Sequence, residues 1–289
     1  MPRVDAAASI AAALLLVTAG PHVATPSAQA GGTIVGHVKL MSPAPANSTI
    51  RMGADPLCSK ANAGKRLTAD VVLRSADGGL ANAFVQVQGK FPATPAPPTP
   101  VTIDQKGCLF VPRVSGARVG QVLKITNSDP TAHNLHSLST KNGFNVSQPN
   151  AGMMYTFQLK SEDLVMRIKC DIHAWMVTYV GVASHPYFAV SGADGAFRIT
   201  GAPAGKHAIR VWHERYGQLT ANVDVKAGQT ATVDFAYKTT RHYDNAIEGK
   251  HGARAPVRAT LSAKSLSPIA TSKPPEPALE EPESGKSNT

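Results

Sequence analysis

The chain is short of charge, of aromatic residues and of long apolar runs, and each shortage removes a class of protein. Asp, Glu, Lys and Arg make up 17% of its 289 residues against a usual ~25%, too few for a coiled coil or a charged scaffold. Aromatic residues are 6% and the basic residues are spread out instead of forming a dense stripe, which argues against nucleic acid despite a net charge of +10. Residues 6–19 (AAASIAAALLLVTA) fall short of the ~20 apolar residues a membrane-spanning helix needs, and no second run of that length follows. Catalytic signatures are missing too: there is no Gly-x-Ser-x-Gly elbow and no His-Glu-x-x-His pair. The run from Gly201 to Lys206 is one residue short of a phosphate loop and continues into His207 instead of Ser or Thr, so it reads as a hairpin turn. No repeat of solenoid or propeller type occurs. The expectation is a protein that is not an enzyme.

What the sequence does have is 24 Gly and 22 Pro, which break it into short pieces. Between the breaks, apolar residues alternate: Ile34, Val38 and Leu40; Ala83, Val85 and Val87; Leu123 and Ile125; Tyr155, Phe157 and Leu159; Leu164, Met166, Ile168 and Cys170. The same pattern returns at Phe188 and Val190, Phe197 and Ile199, Ile209 and Val211, and Ala231, Val233 and Phe235. Period-2 alternation gives strands with one buried face and one wet face, so the fold class is all-β, built as sandwiches. Residues 91–100 (FPATPAPPTP) are too stiff for a strand and read as a linker. Residues 241–289, basic and then rich in Pro and Glu, read as a disordered tail.

Arg3, the apolar stretch behind it and the small-x-small pattern of Ala28-Gln29-Ala30 read as a signal peptide over residues 1–30. Export to the periplasm or beyond follows, with no transmembrane segment in the mature chain. Three cysteines in an oxidising compartment imply one pair and one thiol with another task. Cys58 and Cys108 sit in polar, turn-rich settings, whereas Cys170 ends an alternating strand among His and Met. The expected disulfide is Cys58 to Cys108.

The chemistry concentrates in Cys170-Asp171-Ile172-His173-Ala174-Trp175-Met176, a thiolate, an imidazole and a thioether in one short loop after a strand. Two imidazoles and a thiolate with a weak axial Met are the diagnostic ligands of blue-copper electron-transfer sites. The second imidazole has to come from upstream, where QVLKITNSDPTAHNLHS carries His133 and His136. On an extended chain these two point to opposite faces, so only one can face the metal. Zinc is the competing metal, but structural zinc sites usually lack Met.

His133-Asn134-Leu135-His136 followed by Cys-x-x-His-x-x-Met resembles the copper motif of the cupredoxins, closest to amicyanin and similar to plastocyanin. The resemblance covers residues 101–184 and implies a Greek-key β-sandwich holding one type 1 copper, Cu(I)/Cu(II), with metal ligands His133, Cys170, His173 and Met176. His136 is the reserve ligand, because Ala132 stands where relatives often have Pro. By the same resemblance Asn134 ties the two ligand loops together, and the edge of His173 with Ala174 and Trp175 is the electron exit. Trp175 otherwise reads as packing, and His185, His207, His213 and His251 as structural or solvated.

Residues 185–240 resemble the later strands of a carboxypeptidase regulatory-like domain, a transthyretin-like β-sandwich. The earlier strands of that module read like GTIVGHVKL and ANAFVQVQG, both within residues 31–100. This implies one non-catalytic sandwich interrupted by the copper domain. The other layout is two consecutive domains with residues 31–100 decorating the copper module. The functional expectation is an exported one-electron carrier serving a redox partner protein, acidic in view of the positive charge. The alternatives are periplasmic copper binding or delivery, and a non-catalytic surface-binding module.

Overall fold

A computed structural model of the chain describes residues 31–238. The signal-like segment, the tail and His251 lie outside the described residues. Strands β1 (Gly32–Leu40), β2 (Phe84–Val87), β3 (Val101–Gln105), β4 (Phe110–Val111), β5 (Val114–Arg118) and β6 (Val122–Asn127) open the chain, with helix α1 (Pro56–Ala61) between the first two. They are followed by β7 (His133–Ser137), β8 (Phe144–Gln148), β9 (Met154–Gln158), β10 (Asp163–Lys169), β11 (Val177–Ala183) and β12 (Phe188–Val190). The last are β13 (Ala196–Ala202), β14 (Gly205–His213), β15 (Gly217–Val225), β16 (Thr230–Thr232) and β17 (Phe235–Tyr237). The protein is nearly all β.

These strands form four sheets. β1 sits between β13 and β16 and also pairs with β17; a second sheet runs β12-β2-β14-β15. Their facing sides share one core containing Ile34, Val38, Leu40, Val85, Val87, Ile199, Ile209, Val211 and Phe235. The other two sheets run β5-β11-β10-β7-β8 and β4-β3-β6-β9. Ile103, Leu123, Ile125, Leu135, Met166, Ile168, Val180 and Val182 fill the space between these two. Each large aliphatic side chain so buried stabilises by ~1.5–3 kcal/mol relative to exposure.

Strands β2 and β11 are buried on both faces. All four residues of β2 are buried: Val85 and Val87 enter the first core, while Phe84 joins a third cluster with Val114, Tyr179 and Trp212. β11 does the same for the second sandwich, sending Val180 and Val182 inward and Tyr179 to the third cluster. A strand covered on both sides reads as a continuous apolar run instead of an alternation, and FVQV and VTYVGVA carry that signature. The third cluster packs the two sandwiches together. Beside it, Arg113 donates to both carboxylate oxygens of Glu214, with an Nη2 to Oε2 distance of 2.8 Å.

The first sandwich is discontinuous in sequence. Ile34 of β1 lies opposite Ile199 of β13, and Val85 of β2 opposite Val211 of β14, with β3 to β11 in between. The β1–β2 connection makes a further excursion. Its base is clasped by Asn47, which donates to the Val72 carbonyl at 2.8 Å and accepts from the Val72 amide at 2.9 Å. Its tip does not stay with the first sandwich, where the sequence pattern groups it. Met52 and Cys58 enter the second core, with Ile50 and Leu67 packed alongside, because α1 is too short to bury an apolar face of its own. A disulfide between Cys58 and Cys108, with Cα atoms 5.7 Å apart, bolts the tip to the β3–β4 connection. Closing a loop of that length stabilises by about 4 kcal/mol in the chain-entropy description.

Candidate metal centre

The site lies where two connections of the second sandwich meet. One runs from β6 through Asn127 to Asp129 and the start of β7 at His133; the other joins β10 to β11 and carries Cys170, His173 and Met176. The second loop folds back on itself: the Cys170 amide donates to the Met176 carbonyl at 3.1 Å and the Met176 amide to the His173 carbonyl at 2.9 Å. The first is braced by Asn127, fully buried, whose side-chain amide donates to the carbonyls of Thr131, Gln148 and Asn150.

Within this frame His133, Cys170 and His173 are all buried, and one donor atom from each falls within 4.8 Å of the others. The two Nδ1 atoms of His133 and His173 are 3.0 Å apart, and Cys170 Sγ stands 3.8 Å from His173 Nδ1. Nitrogen and sulfur donors at ~2.0–2.1 and ~2.3 Å from a shared ion stand roughly 3 to 4 Å from one another, so the spacing fits a bound metal. Met176 is buried in the same core as Cys170. His136, the reserve ligand, points the other way: its Nδ1 pairs with the exposed carboxylate of Asp171 at 2.9 Å. The strand alternation of β7, with His133 buried and His136 half-buried, puts the two imidazoles on opposite faces.

The pocket favours a thiolate. Burial alone would raise the Cys170 pKa, but hydrogen bonding to His133 and the amides of Asn134, His173 and Ile172 outweighs it and lowers the value; a thiolate is the form that ligates metals. Burial likewise disfavours charge on His133, yet its bonds to Asp129 and Cys170 raise its pKa to about 9 in the metal-free protein. Asn134 links the two loops, its amide donating to Cys170 Sγ at 3.3 Å and its side-chain oxygen accepting from the Asp171 amide at 3.2 Å.

Both imidazoles carry a carboxylate on the far nitrogen, which the sequence pattern does not reveal. His133 Nε2 donates to Asp129 Oδ2 at 3.0 Å, and His173 Nε2 donates to Asp55 Oδ2 at 2.9 Å. Asp129 is itself held by the amides of Gly107 and Cys108, at 2.6 and 2.8 Å. Residues 107 and 108 both adopt positive φ, +64° and +58°, which turns those two amides toward one acceptor. Two other acid, cysteine and histidine groups overlap the site, Asp55 with Cys58 and His173, and Cys108 with Asp129 and His133. Their cysteines are the ones spent in the disulfide.

The expected electron exit at His173 is closed. His173 is 2% exposed, covered by Asp55 and by Cys58, whose Sγ is 3.8 Å from His173 Nε2. Trp175 lies on the same side, its ring centre 5.0 Å from that of His173 and its Nε1 donating to the Cys108 carbonyl at 2.9 Å. A cavity of about 250 Å³ opens beside Trp175 and Met176, with Leu73, Phe110 and Arg113 in its walls. His185 and His213 are buried, and His207 donates to the Pro203 carbonyl at 2.8 Å, away from the site.

Residues 177–238 match the carboxypeptidase regulatory-like domain family. Comparison with curated proteins gives no match. Among solved structures, a purple cupredoxin from Nitrosopumilus maritimus is similar at 23% identity, over 29% of this chain and 99% of that one, with a TM-score of 0.26. A copper-containing nitrite reductase from Thermus scotoductus is similar at 21% identity, over 33% of this chain and 25% of the enzyme, with a TM-score of 0.27. A reduced amicyanin variant is similar at 15% identity, over 34% of this chain and 98% of amicyanin, with a TM-score of 0.27.

Proposed function

We propose that the chain is an exported copper protein that carries single electrons between partner proteins and catalyses no substrate reaction of its own. The observation that supports this is the convergence of His133 Nδ1, His173 Nδ1 and Cys170 Sγ in a buried pocket. His133, Cys170 and His173, with Met176 from the same loop, would hold copper there, and the bound metal would supply a one-electron couple. Two imidazoles and a thiolate suit both copper valences, and residues locked before binding need little rearrangement between them. Asp129 and Asp55 orient the imidazoles, Asn134 donates to the sulfur, and the surrounding apolar core excludes water. The purple cupredoxin and amicyanin named above accord with this reading. The net charge of +10 accords with an acidic redox partner, and the N-terminal apolar stretch accords with periplasmic or secreted localisation.

A second reading, copper binding or delivery without turnover, is favoured by the covered outer edge of His173, since a carrier usually presents its centre to a partner. Loading with Cu(II) separates the outcomes. An electron carrier develops intense thiolate-to-copper colour that Cys170→Ala abolishes, and it cycles reversibly with rapid self-exchange. Colourless protein with copper bound overturns the carrier reading. Colour without reversible cycling favours delivery.

A further inference from the structure

We infer that Asp55 is a positioning residue for His173, lent to the metal-bearing sandwich by the β1–β2 excursion of the other and clamped by the Cys58–Cys108 disulfide. The redox half of its test rests on the copper reading proposed above; the structural half does not.

Asp55 is held from several directions. Its Oδ1 accepts from the amides of Leu57 and Cys58, at 2.8 and 2.9 Å, which caps α1. Its Oδ2 accepts from Thr131 Oγ1 and His173 Nε2, both at 2.9 Å. Thr131 belongs to the loop that leads into His133, so one carboxylate touches both ligand-bearing loops. The helix end is pinned in turn: Cys58 is bonded to Cys108, and Asn62 donates to the Gly107 carbonyl at 3.0 Å. Gly107 and Cys108 are the residues whose amides hold Asp129, the partner of His133. The disulfide therefore couples the supports of both imidazoles.

The chemistry follows from the two ring nitrogens. With Nδ1 of His173 aimed at Cys170 and His133, its proton has to sit on Nε2, and the acceptor at Nε2 fixes that tautomer and the ring plane. A carboxylate acceptor makes the opposite nitrogen a stronger donor to a cation, which favours the more highly charged Cu(II). A helix cap alone does not require any of this, because Ser or Asn caps as well as Asp. On this inference the regulatory-like sandwich completes the metal centre as well as flanking it.

Asp55→Ser separates the roles, since it keeps a capping oxygen but is too short to reach the ring. In metal-free, 15N-labelled protein the wild-type His173 ring is expected as a single Nε2–H tautomer with slow solvent exchange. Asp55→Ser is expected to show mixed tautomers and fast exchange while still folding cooperatively, with α1 capped. In copper-loaded protein, Asp55→Ser and Asp55→Asn are expected to weaken the preference for Cu(II) over Cu(I) by tenfold or more, a rise of about 59 mV for a one-electron couple. The paired variant Cys58→Ser, Cys108→Ser is expected to shift the potential in the same direction. An unchanged tautomer and potential in Asp55→Ser overturns the inference, and an unchanged potential in the paired variant overturns the clamp. Absence of thiolate colour in the wild type falsifies the copper reading instead, and the tautomer measurement then decides the role of Asp55 by itself.

Discussion

Gly181 of β11 lies directly under the ring of Phe84 of β2, so that a Cβ at position 181 would fall 2.5 Å from the ring carbons. Gly116 of β5 stands in the same relation to Phe188. The two sandwiches approach closely because their contact surfaces pair a glycine with an aromatic ring. Gly181→Ala is therefore expected to destabilise by ~1–3 kcal/mol, the usual cost of overpacking. Gly53→Ala, where a Cβ meets nothing, is expected to stay within about 0.5 kcal/mol of wild type. Denaturant midpoints at constant m-value measure both.

The Arg113–Glu214 pair joins the same two sandwiches with both side chains largely covered, 17% and 4% exposed. Removing one partner leaves the other charge buried and unmatched. Glu214→Ala is expected to cost ~3–5 kcal/mol, and a double-mutant cycle with Arg113→Ala is expected to recover much of that as coupling energy. Additive single effects would mean that the pair contributes little.

At the metal centre, Asp129→Asn is expected to lower copper affinity by ~10–100-fold, the range for losing a carboxylate behind a ligand imidazole. His136→Ala is expected to leave affinity unchanged, because that ring pairs with Asp171 at the surface. Competition against a chelator of known affinity reads both. Equal losses would put His136 back among the ligands.

Stability should fall on acidification between about pH 6.5 and 5. Burial, with Arg113 and Arg215 adding repulsion, lowers the His213 pKa to about 3, and burial lowers that of His185. Between the folded and unfolded pKa values the unfolded chain binds more protons, so stability present above pH 6.5 is lost as pH drops, by up to ~1.4 kcal/mol per pH unit for one group. His133 moves the opposite way, to about 9, and is protonated in both states in this window. Replacing His213 with Leu is expected to flatten the dependence of unfolding free energy on pH; an unchanged slope would exclude His213 as its source.

Much of the architecture was legible because it follows from local rules. Ile34, Val38 and Leu40 alternate with wetter residues and all lie in the core. Cys170, His173 and Met176 share one loop whose spacing is dictated by chain geometry. The double burial of β2 was half legible: Ala83, Val85 and Val87 stood out as alternating, while Phe84, between Ala83 and Val85, did not register as part of a second buried face. Asp55 and Asp129 were not legible as partners of imidazoles. Asp55 meets His173 across 118 positions, and a hydrogen bond at that separation leaves no periodicity in sequence. What Asp55-Pro56 does betray is a helix start, with Pro at a favoured first position. The covered state of His173 was missed for the same reason, since the cover comes from a segment that the pattern groups with the other sandwich.

The interleaved chain order also governs how the protein can be made. Every strand pair of β3 to β11 closes within that stretch, whereas β1 has to wait for β13 before Ile34 can face Ile199. Long-range pairing of this kind is slow to form. During synthesis the sandwich of β3 to β11 is expected to assemble first, leaving β1 as an orphan apolar strand with open edges and a hazard for aggregation until the final hairpins arrive.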